Sequence, residues 1–252
     1  MREILDAVAS GDLSPAEAEA RLAGYATTDA GRFDAAREQR RGIPEAVLAE
    51  GKTPDEVASM ALAALETTGR ALITRADDDH VAAVREALPA DATVERDDRA
   101  RTLAVHGPSF DPPDIDARVA VVTGGTSDAA VAGEAAMLVR AVGATVERIE
   151  DVGVAHLGRI LDHLETLRAA DIVVVAAGRE GALPTVVAGL IDTPVIGVPV
   201  STGYGHGGEG ESALLSMLQS CTVLSVVNVD AGFTAGAQAG LIARAIAGAR
   251  EE

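Results

Sequence analysis

The sequence predicts an α/β protein in which a C-terminal doubly wound parallel sheet follows a smaller N-terminal α/β domain. Three observations carry this. Five strand-length runs rich in Val and Ile alternate with helical patterns after Ala117; such runs mark strands buried on both faces of a parallel sheet. The span Gly107-Pro108-Ser109-Phe110-Asp111-Pro112-Pro113-Asp114 is too rich in proline for a helix or a central strand, and reads as a linker. Hydrophobic residues make up 48% of the 252 residues and aromatics only 2%, so the core must be built from Ala, Val, Leu and Ile. The division is an N-terminal helical and α/β domain over 1–107, a linker over 108–117 and a nucleotide-binding domain over 118–252.

In the first part, Met1-Arg2-Glu3-Ile4 opens a charged helix and not a signal peptide. Ser14-Pro15-Ala16-Glu17 is a capping box with proline at the first helical position. Thr53-Pro54-Asp55-Glu56 repeats the device and opens a helix to about Thr67. A strand over 71–75, a helix over 78–88, and a hairpin of 93–95 with 102–106 complete the domain. In the second part strands read at 118–123, 145–149, 171–177, 194–200 and 223–229. Helices read at 128–142, 156–169, 183–190, 211–220 and 235–249. Ligands of such sheets bind beyond the carboxyl ends of the strands, so those loops should carry the chemistry.

Composition narrows the function. The 39 acidic residues exceed the 21 basic ones, for a net charge of −18, which opposes a phosphate backbone and an anionic membrane surface alike. With so few aromatics there is no stacking platform for single strands. Lys52 is the only lysine; surplus carboxylate with arginine as the cation predicts adaptation to a salty cytoplasm, with GC-rich coding as the plain alternative. No apolar run reaches membrane-spanning length, and the expectation is a cytoplasmic protein. One cysteine, Cys221, permits neither an intrachain disulfide nor a cysteine-built metal site, and His80, His106, His156, His163 and His206 lack metal-binding spacing.

The strand-end loops are glycine-rich. Gly124-Gly125-Thr126-Ser127-Asp128 leads into a helix, where free N–H groups suit a phosphate; a simple helix cap is the other reading. It matches neither dinucleotide fingerprint. Gly178-Arg179-Glu180-Gly181-Ala182 places a carboxylate at a strand end, either as a helix N-terminal charge or as a catalytic group. Ser201 to Gly210 holds five glycines in ten residues, which suits close approach of backbone to a ligand, a closing lid, or a loose surface loop. Cys221 falls where a helix hands over to the fifth strand. It reads as a small buried hydrophobe or as a nucleophile, and a helix C-terminus gives a thiolate no electrostatic help.

These residues together resemble the LarB family. The resemblance is carried by Thr126-Ser127-Asp128 with Glu134-Ala135, Asp151-Val152-Gly153-Val154-Ala155, Gly178 to Pro184, Gly203-Tyr204-Gly205, Ser212-Ala213-Leu214 with Ser220-Cys221, and Val227-Asn228-Val229-Asp230. Ahead of them, Asp34, Arg37, Arg40-Arg41-Gly42-Ile43-Pro44-Glu45 and Gly51-Lys52-Thr53 resemble the family's N-terminal pattern. The family makes the nickel-pincer nucleotide precursor used in lactate racemase maturation, and its C-terminal half is similar to the PurE carboxyaminoimidazole ribonucleotide mutase, a Rossmann-like fold.

The resemblance implies carboxylation of the pyridinium ring of nicotinic acid adenine dinucleotide and hydrolysis of its phosphoanhydride. Cys221 matches the nucleophile and Glu180 the base. Ser127 and Asp128 should hold phosphate or ribose. Gly178, Gly181, Ala182, Gly203, Tyr204 and Gly205 should line the pocket. Arg37 and Arg40 either reach a substrate anion or form surface ion pairs. Magnesium is plausible, with Asp128, Asp151 and Asp230 as candidate ligands and no ranking among them. A closed homo-oligomer is expected, an octamer by preference. Two departures stand out. The family's Gly, apolar, His-Arg run is His156-Leu157-Gly158-Arg159 here, and its Asn-Ile-Asp-Asn-Gly-Phe-Gly run is Asn228-Val229-Asp230-Ala231-Gly232-Phe233-Thr234. Rival readings are a mutase of purine synthesis, which needs no thiol, and a dinucleotide-binding module without turnover.

Overall fold

A computed structural model describes residues 2–203 and 206–251. The chain forms two compact units, Met1–Asp111 and Pro112–Glu252. The first contains α1 (Arg2–Ser10), α2 (Pro15–Ala23), β1 (Ala26–Thr28), β2 (Gly31–Phe33), α3 (Arg37–Arg41), β3 (Val47–Leu48), α4 (Pro54–Thr68), β4 (Arg70–Thr74), α5 (Asp78–Ala87), β5 (Thr93–Asp97) and β6 (Thr102–His106). Both proline-headed helices are capped as their sequences require. The Glu17 N–H donates to Ser14 Oγ at 3.2 Å while Glu17 Oε2 accepts from the Ser14 N–H at 2.8 Å. Glu56 and Thr53 repeat the exchange at 3.3 and 2.7 Å. Strands β3-β4-β6-β5 form one sheet, and α4 and α5 bury Val57, Ala61, Val81 and Val84. The hairpin β1–β2, α3 and β3 were not read from the sequence. They are two to five residues long, too short for periodicity to register.

The second unit contains β7 (Arg118–Thr123), α6 (Ala129–Val142), β8 (Thr145–Ile149), α7 (Gly158–Leu161), α8 (Leu164–Ala169), β9 (Ile172–Ala177), α9 (Ala182–Ala188), β10 (Val195–Pro199), α10 (Glu211–Leu218), β11 (Ser225–Val226) and α11 (Gly232–Glu251). All its strands run parallel, in the order β8-β7-β9-β10-β11. Alternate residues of each strand face opposite layers. Val119, Val121, Val174, Ala176 and Val198 pack with Ala132, Ala135, Ala239 and Ala243 of α6 and α11. Ala120, Val122, Val173 and Val175 pack with Ile160, Leu167, Leu183, Val187 and Met217 on the other side. This double burial is why the strands carry no polar alternation.

Three boundaries differ from the sequence reading. The helix expected over 156–169 is broken into a 3₁₀ turn (Val154–His156), α7 and α8. Gly158, Asp162 and His163 are poor helix formers and interrupt it. The strand expected over 223–229 pairs only at Ser225 and Val226, on the sheet edge. Asn228 Oδ1 accepts from the Val229 N–H at 2.9 Å, a local bond that competes with the ladder. The last helix starts at Gly232, three residues earlier than expected.

Asp171, immediately before β9, ties the unit's last helix to its first strand. It accepts from the Arg118 N–H at 2.8 Å and from Arg250 at 2.6 and 3.2 Å. Burial works against its charge, but Arg250 and the Arg118 N–H outweigh it and hold the carboxyl below its ordinary range. Asp171→Asn should therefore cost about 2 kcal/mol at neutral pH, measured by chemical denaturation. A depressed folded-state value means the stabilisation is present above the unfolded-state value and is lost as pH falls through the folded one. A variant as stable as the parent at neutral pH would show the cluster to be idle.

Candidate active site

The strand order reverses beside β7, so the loops after β7 and β9 part in opposite directions and leave a crevice between them. A cavity of about 390 Å³ opens there. Its walls come from Gly124, Gly125, Ser127 and Asp128 after β7, Gly153 to Ala155 after β8, Gly178 to Glu180 after β9, and Thr202 after β10. The loops approach at van der Waals limits. A β-carbon on Gly153 would lie 2.6 Å from the Gly124 carbonyl oxygen, and one on Gly178 would collide with the Thr202 carbonyl oxygen. A second cavity of about 190 Å³ shares Arg179 and Glu180 and extends to Gly203, His206 to Gly208, Gly210 and Ser212. Arg179, Asp151, Glu209 and Asp230 adopt positive φ between 53° and 57°. For side-chain-bearing residues that backbone is strained, and strain of this kind gathers at functional loops.

Asp128 is the organising group. It is 3% exposed. Its Oδ2 accepts from the Gly125 N–H at 2.8 Å and its Oδ1 from the Thr202 hydroxyl at 3.5 Å; the backbones of Gly124 and Gly178 also bond to it. One carboxylate thus holds the loops after β7, β9 and β10. Burial raises its pKa above the ordinary Asp value, and the donors only partly offset this.

Of the residues expected at the site, Ser127, Asp128, Gly178, Glu180 and Ala182 line the larger cavity and Gly203 the smaller. Gly181 starts α9 at φ 62° and lines neither; a β-carbon there would sit 2.7 Å from the Ala213 carbonyl oxygen. Tyr204 and Gly205 lie outside the described residues. Arg37 and Arg40 belong to the first unit, where Arg37 bonds Glu45 at 3.0 and 3.2 Å and Arg40 bonds Asp34 at 2.7 and 3.0 Å. Among the described residues no three His, Cys, Asp or Glu side chains gather to hold a metal ion. Asp151 pairs with Arg159 at 3.1 Å and Asp230 accepts from the Ser201 N–H at 2.8 Å, so the acidic residues considered as magnesium ligands serve separate partners.

Cys221 stands apart. It follows the C-terminal end of α10 and precedes β11, at the amino end of the sheet, whereas Glu180 follows the carboxyl end of β9. It lines neither cavity. It is also exposed, which removes the reading of a small buried hydrophobe.

Two residues gain weight from the structure. Arg159 lines the larger cavity, donates to the Asp151 carbonyl at 2.7 Å, and leaves its buried Nε without a partner. Its signal in sequence was its place in the Asp151-to-Arg159 run. Arg179 borders both cavities, marked only by its glycine neighbours. The displaced His156 lays its imidazole over Gly158: a β-carbon at 158 would meet Cε1 at 2.7 Å. The ring therefore fills the space that a side chain at 158 would enter.

Residues 118–252 match the AIR carboxylase family, and residues 25–107 match the LarB/PurE-like N-terminal domain. The chain belongs to the LarB family. The LarB-specific match is to the N-terminal domain, and the AIR carboxylase match covers the rest from residue 118. An uncharacterized protein of Methanocaldococcus jannaschii is 36% identical over 252 residues, with 97% of each chain aligned. The LarB architecture, a PurE-like domain behind its own N-terminal domain, makes this a member of a carboxylase-related family. No helix of the described residues is long and apolar enough to cross a membrane.

The raised pKa of Asp128 carries a sign. The folded chain keeps this proton to higher pH than the unfolded chain does, so the group's contribution to stability declines as pH rises through the folded value. Asp128→Asn has no proton to lose. The melting-temperature difference between variant and parent should therefore move in the variant's favour from about pH 3 to about pH 7. A pH-independent difference would contradict the buried-acid assignment.

Proposed function

We propose that this protein carboxylates the pyridinium ring of nicotinic acid adenine dinucleotide and hydrolyses the phosphoanhydride, releasing pyridinium-3,5-biscarboxylic acid mononucleotide and AMP. The observation that carries the reading is the strand-end cavity walled by Glu180, in a LarB chain whose single thiol is exposed. The cavity's volume, about 390 Å³, is in the range of small-molecule sites.

The chemistry needs both groups. A pyridinium ring is electron-poor and does not attack carbon dioxide. A thiolate adds to a ring carbon, forming a C–S bond and neutralising the ring nitrogen. The resulting enamine carbon attacks carbon dioxide and forms the new C–C bond. Glu180 takes the proton from that tetrahedral carbon, the C–H electrons re-form the neutral enamine, and the C–S bond then breaks with its pair returning to sulfur, which restores the aromatic pyridinium. In this reading the Ser127 loop and Arg159, which line the larger cavity, hold the phosphate and ribose side of the nucleotide. Water is consumed at the phosphoanhydride. Any magnesium would be held chiefly by the substrate's own phosphates.

Because Cys221 and Glu180 occupy opposite ends of one sheet, the reading requires a second copy of the chain to deliver the sulfur. The surface around Cys221 suits this. Leu215, Leu218 and Val223 are 50%, 61% and 92% exposed, and Leu157 and Leu161, flanking Arg159, are 50% and 47% exposed. Aliphatic surfaces of this kind mark association sites. The reading thus includes a closed homo-oligomer, octamer preferred, with composite sites.

Mass spectrometry of the protein with nicotinic acid adenine dinucleotide and labelled bicarbonate should give a labelled mononucleotide and AMP. Unlabelled, intact substrate would end the proposal. Cys221→Ala should abolish label and any covalent adduct with the fold retained, whereas a purine-type mutase would not notice the loss. Glu180→Gln should bind substrate and stall. Co-refolding the two variants in equal amounts should regain about a quarter of the parental activity if sites are shared between copies. No regain would place both groups in one chain.

A further inference from the structure

The turn that carries Cys221 is held by a chain of three hydroxyls. Thr185, within α9, donates to Ser220 Oγ at 3.0 Å. The Thr222 N–H donates to the same oxygen at 3.2 Å, and the Ser220 and Thr222 hydroxyl oxygens are 2.7 Å apart. A serine hydroxyl has two acceptor lone pairs and one proton. Thr185 and the Thr222 amide both donate to Ser220 Oγ, and the Ser220 and Thr222 hydroxyls share a further hydrogen bond in which either oxygen can be the donor. Thr185, Ser220 and Thr222 form one connected chain of hydroxyls. The amide bond from Thr222 to Ser220 closes a serine turn with Cys221 as its central residue. Ser220 and Thr222 are half-buried while Cys221 between them is exposed. The anchor, α9, is the helix that follows Glu180 and Gly181.

We propose that Ser220 is a positioning residue for Cys221: its hydroxyl, fixed from α9 by Thr185, locks the turn that presents the sulfur. This builds on the reading of Cys221 as nucleophile. The hydroxyls need not touch substrate. They act through the direction and the surroundings of the thiol, and thus on the step in which sulfur adds to the ring.

The test compares Ser220→Ala, Ser220→Thr and Thr185→Val in the full-length assembled protein. Ser220→Ala should lower kcat about tenfold or more with KM changed less than about twofold, since misplacing a reacting group costs turnover more than binding. Iodoacetamide should alkylate Cys221 at a rate changed about threefold in Ser220→Ala, because the turn that presents the thiol is no longer fixed. Ser220→Thr keeps the hydroxyl and should restore most of both. Thr185→Val removes only the first link and should lose less than Ser220→Ala; it also decides the matter if Ser220→Ala does not fold. Parental turnover and parental alkylation rates in Ser220→Ala, or in Thr185→Val in that event, would overturn the proposal. If the parent makes no carboxylated product, the carboxylase reading fails by itself, and the alkylation rates alone decide the positioning role.

Discussion

One buried carboxylate, Asp128, holds the cavity together. Its oxygens gather donors from the loops after β7, β9 and β10. The cost is the desolvation of a charge, which is visible in its raised pKa. Gly178 lets the loops after β9 and β10 close on each other beside this carboxylate, and Gly153 lets the loop after β8 close against Gly124. Cavity, strained backbone and buried acid are therefore one arrangement: the sheet brings the loops to one end, and Asp128 sets their spacing.

A parallel sheet has two chemically different ends. Helix N-termini and strand carboxyl ends share one of them, and helix C-termini the other. Glu180, Ser127 and Asp128 sit at the first, Cys221 at the second. The carboxylate and N–H chemistry of the cavity gains from its end. The sulfur gains nothing from its own, and under the proposal above the turn that carries it is held by the hydroxyls of Ser220 and Thr222. In the proposed assembly, the two ends meet only between copies.

Much of this was legible in the residues. Double burial of Val119–Val122 and Ile172–Ala177 forced an apolar run that could only be an interior strand. Glycine density after those strands pointed to the crevice. What could not be read was local. Gly158, Asp162 and His163 break a helix whose apolar period continues through the break. Asn228 ends pairing early through its own side chain. The position of Cys221 relative to Glu180 was illegible for a different reason. Motif adjacency says nothing about which end of a sheet a residue occupies until strand direction is known. The ion pairs of Arg37 and Arg40 depend on Glu45 and Asp34 folding back against them, which no spacing rule specifies.

If copies of the chain meet through the exposed aliphatic surface at Leu218 and Val223, as proposed, their meeting bears on how such a protein is controlled. Where half of a reaction centre belongs to a neighbour, folding produces a chain that is complete but inert, and competence arrives only on encounter. The turnover of each chain then follows mass action, vanishing on dilution below the dissociation constant and saturating above it. Expression level becomes a switch as well as a supply, and a mutation far from the cavity can silence it simply by weakening the meeting of two chains.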